Sequence, residues 1–194
     1  MLNNLSIAQE FVLLALDRDT NKLKSMLRMH VALYTAMACF VELSMNGNVT
    51  FADDDTVTIA DSASTGEQYF DKLLEIIAAE KPRKLKEWVS YFYYGHKEIY
   101  KLVVESLAEK NSDAANARNR IVEKIRAELL ENGNVEQRTL ALALFLNSKG
   151  MLKDYFSGYE KKTLKQRMEN FKNEDFYKKI KTMETVIQNL DIGL

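Results

Sequence analysis

Apolar positions recur with a helical period over most of the chain. Ile7, Phe11, Leu14 and Ala15 share one helical face. They follow Ser6-Ile7-Ala8-Gln9, which reads as a capping box with Ser6 as N-cap and Gln9 reaching back to it. After a turn at Asp17-Arg18-Asp19-Thr20-Asn21, the pattern predicts a second helix from Leu23 to Met45, apolar on most sides and therefore central. Asn46-Gly47 offers a residue that tolerates a left-handed C-terminal cap. The period then shortens to two. Val49-Thr50-Phe51 and Thr56-Val57-Thr58-Ile59 flank the turn residues Asp53-Asp54-Asp55 and predict a hairpin. From Thr65 the helical period returns, with helices expected near 66–80, 83–93, 96–110, 113–131, 135–148 and 160–189. Breaks are expected at Pro82, Gly95, Asn111, Gly133, Gly150 and Gly158. The expected fold is mainly α, a single compact helical domain over residues 1–194 with one small antiparallel β-hairpin.

Composition narrows the function classes. A net charge of -1 gives no global attraction for nucleic acid or anionic lipid, so any such binding must come from a local patch. The single cysteine, Cys39, excludes an internal disulfide framework and fits a reducing compartment. The stretch from Val31 to Met45 is broken by Thr35, Glu42 and Ser44 and is too short and polar to span a bilayer, and the N-terminus has no signal-peptide pattern. The expected location is cytoplasmic.

Catalytic and metal chemistry find little support in the residues. His30 and Cys39 lie nine positions apart, which at ~100° per residue puts them on opposite faces of one helix. His96 is isolated, and two histidines with one cysteine fall short of a zinc site. Asp53, Asp54 and Asp55 lack the alternating ligands and distal glutamate of a calcium loop and read as a solvated turn. No Gly-rich phosphate loop can be written through Gly47, Gly66 or Gly95. Thr65-Gly66 is either a plain cap or a set of backbone donors for an anion. The aromatic run Tyr91-Phe92-Tyr93-Tyr94 behind Trp88, with Lys97 and Lys101 nearby, reads as core packing or as a surface for a ligand or membrane. Between Glu160 and Lys181, eight Lys/Arg face four acids, a modest basic helix that either packs Leu164, Met168 and Phe171 inward or lies on anionic lipid. No cofactor is expected.

Five segments in order carry a family resemblance: Leu5–Asp17, Val41–Val49, Thr65-Gly66 through Asp71 and Leu74, Lys81-Pro82 through Trp88-Val89, and Arg138–Leu144 followed by Met151–Phe156. Together they span nearly the whole chain, which resembles the Golgi phosphoprotein 3 family. The resemblance implies a helical domain with a small β element, no catalysis, and peripheral membrane association through phosphatidylinositol 4-phosphate. It also implies a protein partner, since eukaryotic members grip glycosyltransferase tails. The family's lipid pocket uses a tryptophan and an arginine on the second helix, two later arginines and an apolar hairpin. Leu27, Ala36, Tyr100 and Leu102 stand at those places here, and Asn111-Ser112-Asp113 leads straight into the next helix. The chain is thus similar to a short, bacterial member that lacks the membrane hairpin. An arginine fork is hard to replace, and Arg28, Lys97 and Lys101 are the nearby cations that could hold an anionic headgroup.

Two further classes compete with a binding or scaffold module. A long helix followed by a hairpin superficially fits a winged-helix nucleic-acid-binding regulator, but the helix is too apolar and the wing tip too acidic for phosphate, so no nucleic acid is expected. An enzyme using the Trp88–Tyr94 aromatics comes third and would need a deep pocket with a perturbed acid.

Overall fold

The computed structural model describes residues 5–17, 20, 22–23, 30–95, 97–110, 113–131 and 133–192. Helix α1 (Ile7–Ala15) starts at the Ser6 capping box, with Gln9 N–H donating to Ser6 Oγ at 3.1 Å and Ser6 N–H donating to Gln9 Oε1 at 2.9 Å. Leu16 and Leu23 then pair as an isolated antiparallel bridge, so the expected helix does not begin at Leu23. Helix α2 (Val31–Met45) begins eight residues later, with His30 at its N-cap. It is buried on nearly all sides and packs on α1, as its apolar circumference requires.

Strands β1 (Val49–Phe51) and β2 (Val57–Ile59) form the hairpin, with Val49 opposite Ile59 and Phe51 opposite Val57. Asp55 takes φ 66° at its tip, a conformation that aspartate tolerates better than most residues. Helices α3 (Gln68–Ala79), α4 (Leu85–Tyr93), α5 (Glu98–Lys110), α6 (Ala114–Leu129) and α7 (Gln137–Ser148) follow the predicted order with ends shifted by one to two residues. A 3₁₀ turn (Met151–Asp154) leads to α8 (Gly158–Glu169) and α9 (Asp175–Ile192). The single helix expected over 160–189 is therefore two, divided by turns at Asn170–Glu174.

The core fills the space around α2 and α7. Phe11, Tyr34 and Phe145 meet as a three-ring cluster with centroids 5.8–6.4 Å apart, and Phe40, Trp88 and Phe92 form a second with centroids 5.8–6.2 Å apart. Trp88 is fully buried, so truncating it to alanine costs about 3–5 kcal/mol. The Pro82 segment has a clear structural reason. Val57 N–H donates to Arg83 C=O and Leu85 N–H to Asp55 C=O, both at 2.9 Å, so the segment pairs along the hairpin edge before α4 begins. Among the described residues, no helix is long and apolar enough to cross a membrane.

Candidate functional site

Helix α1 is held at its start by a buried polar clamp. Glu42, the one acid inside α2, turns its carboxylate to the N-terminus of α1, where Oε2 accepts the Ile7 N–H at 2.7 Å. An acid at a helix N-terminus satisfies an orphan donor and meets the positive end of the helix dipole. Arg138, from α7, donates to Glu42 Oε1 and, at 2.7 Å, to the Leu5 carbonyl. Gln9 donates to Ser106 Oγ at 3.0 Å, tying α1 to α5. Burial pushes the Glu42 carboxyl above its ordinary range, against the pull of Arg138. Glu10, one turn along α1, is pushed up to about 7 by burial, with Arg138 and Lys124 opposing and Glu42 and Glu128 adding to the rise.

The other end of α1 lies against an open trough. Val12, Leu13 and Leu16 face Leu23, the α5 residues Tyr100, Val104, Leu107 and Ala108, and Ala114 of α6, around a cavity of about 460 Å³. Lys97, Lys101, Val104 and Ala108 follow one another at helical spacing, and Lys101 N–H donates to Lys97 C=O at 3.1 Å as α5 opens. The two lysines are exposed and belong to the stripe that borders the trough. Glu98, Glu105 and Glu109 project on the adjoining face, where Lys72 lies 3.6 Å from Glu98. Tyr94, in the link before α5, is 72% exposed, and Val104 is 38% exposed.

The remaining sequence candidates resolve into structure. Arg28 and Leu27 lie outside the described residues, as do His96, Asn111 and Ser112. Ala36 is fully buried in α2, Tyr100 lines the trough, and Leu102 packs against the core. The Thr65-Gly66 step already holds an anion from its own helix. Asp71 accepts Thr65 N–H at 2.7 Å, Thr65 Oγ1 at 2.8 Å and Ser64 Oγ at 2.6 Å, while Gly66 takes φ 80°. In the hairpin turn, Asp54 pairs with Lys84 at 3.1 Å and Asp55 with Lys179 of α9.

His30 Nδ1 lies 3.3 Å from Lys149 Nζ, and Nε2 lies 2.9 Å from Asp191 Oδ1. Tyr93 also donates to Asp191, at 2.8 Å. Burial and then Lys149 lower the His30 pKa, so its ring is neutral at pH 7 and accepts from the lysine. This junction fastens the end of α9 to α2, α4 and α7. Cys39 is fully buried, and burial pushes its thiol well up, away from the reactive thiolate. Of the aromatic run, Phe92 is core, Tyr91 stacks under Arg83 at 5.4 Å, and Tyr94 is exposed. Among the described residues, no group of three or more His, Cys, Asp or Glu could hold a metal ion.

Sequence reasoning named Lys97 and Lys101, which lie exposed on α5, and missed the clamp and the trough. A charge inside the apolar run of α2 was the available signal for the clamp; its partner lies 96 residues away.

The described residues thus form a mainly helical molecule with an apolar trough beside two exposed lysines of α5. The family model for Golgi phosphoprotein 3 (GPP34) matches residues 7–186, and the chain belongs to that family. A search of curated proteins gives no match.

Proposed function

We propose that the chain is a non-enzymatic, single-domain binding module that docks on anionic lipid at a cytoplasmic membrane face through the outer edge of α5. One observation carries this reading: Lys97 and Lys101 share one stripe of α5 with Val104, and Val104 and the nearby Tyr94 of the preceding link are two of the three large exposed apolar side chains among the described residues. Amphipathic aromatics beside lysines suit a headgroup layer, where the ring is half wetted and each nearby cation contributes about 1 kcal/mol. Membership of the family supports peripheral association, and phosphatidylinositol 4-phosphate is the anionic lipid that the resemblance singles out. With Tyr100 and Leu102 where the family's arginines are expected, attraction by point charges replaces a bidentate grip. The winged-helix reading loses ground, because the hairpin tip is acidic and two of its carboxylates, Asp54 and Asp55, are engaged by Lys84 and Lys179.

Co-sedimentation with three kinds of vesicle tests this. Neutral, generic anionic and phosphatidylinositol 4-phosphate vesicles are compared at low and physiological salt. The reading expects binding to both anionic kinds, weakened by salt, and reduced when Lys97 and Lys101 are replaced by glutamate. Absence of binding to every vesicle would overturn it and turn attention to a protein partner.

A further inference from the structure

We infer that the trough between α1, α5 and α6 takes the hydrocarbon tail of a single long-chain fatty acid, with its carboxylate at the Lys97–Tyr100–Lys101 end. Among the described residues, the lining is aliphatic except for Tyr100. Its hydroxyl makes no hydrogen bond to a described residue, so it is free to donate to a ligand at that end. Along the stripe of α5 that borders the trough, Lys97 and Lys101 stand at the start, while Leu107 and Ala108, with Ala114 of α6, line the far end. From Tyr100 to Ala108 is about 12 Å of helix axis at 1.5 Å per residue.

A cavity of about 460 Å³ lies within the roughly 300–1,000 Å³ usual for small-ligand sites. A peptide is the poorer occupant, because each of its residues brings a backbone donor and acceptor and the described lining residues offer one side-chain hydroxyl. An alkyl chain makes no such demand, and one carboxylate matches the basic rim in charge. The inference rests on the same α5 edge as the proposed function, yet a dissolved fatty acid and a vesicle are separate ligands and either can bind without the other.

The test uses the full chain and the fluorescent fatty acid cis-parinaric acid, displaced by saturated acids of ten to fourteen carbons below their micelle concentrations. The expected result is one saturable site per chain, with affinity rising up to about fourfold per added methylene. Ala108→Trp, which fills the trough, and Val104→Glu, which sets a like charge beside the ligand, should each weaken binding at least tenfold with unchanged melting temperature. Tyr159→Ala, on α8, should leave binding unchanged. Lack of saturable binding by the unaltered chain, or normal binding by Val104→Glu, would overturn the inference, and Val104→Glu alone decides if Ala108→Trp folds poorly. Vesicle sedimentation beside it separates the two readings, since vesicle binding without parinaric acid binding overturns this inference only.

Discussion

At the start of α1, Glu42 and Arg138 are engaged with each other and with the backbone of Ile7 and Leu5. At its end, aliphatic side chains from three helices face a cavity, and Lys97 and Lys101 lie exposed on the stripe of α5 that borders it. The first arrangement satisfies its polar groups internally and leaves nothing for a ligand to pair with. The second leaves apolar surface with exposed cations beside it. Concentrated charge therefore marks structure at one end of this helix, and sparse charge beside open apolar surface is where binding is proposed at the other.

The contrast can be broken most sharply at the clamp. Arg138→Met leaves the Glu42 carboxylate buried against a single N–H, and stability should fall by about 2–4 kcal/mol, read as a lower denaturant midpoint with unchanged slope. Arg138 is partly exposed, which places the cost at the lower end of what a fully buried pair would show. At the trough the expected loss is in binding. Replacing Lys97 and Lys101 together should cost about 2 kcal/mol toward anionic vesicles, some thirtyfold, and leave the melting temperature unaltered.

A smaller effect sharpens the comparison through pH. The Glu10 carboxyl binds its proton up to about pH 7 in the folded chain but only to about 4.5 when unfolded. The folded state thus holds more protons between these values, so stability falls as pH rises through that window. The carboxylate is not fully buried, so the change should not exceed about 2 kcal/mol. Glu10→Gln should flatten the profile between pH 5 and pH 7, as read by thermal melts in matched buffers. Smallest, Asp71→Ala removes the acceptor that closes the Thr65-Gly66 turn and should cost about 1 kcal/mol, with no change in vesicle binding.

Local features were legible in the chain. The Ser6–Gln9 box, the hairpin and the order of the helices need only neighbours in sequence, and they form where the pattern put them. Periodicity failed at Leu23, a lone apolar residue between Lys22 and Lys24, where the pairing with Leu16 decides. It failed again at Asn170–Glu174, a break with no glycine or proline, where Phe171 packs toward the core between two helices. The functional side divides in the same way. Lys97 and Lys101 could be picked out as isolated cations. The trough they border needs Val12, Tyr100 and Ala114 from three helices, and no spacing rule links them.

Hydrogen exchange of the whole chain, with and without vesicles carrying phosphatidylinositol 4-phosphate, tests the account most directly. Added protection should fall on Lys97 to Ala108, while the clamp segments around Ile7, Glu42 and Arg138 exchange as before. Protection confined to α8 and α9, or none anywhere, would contradict it.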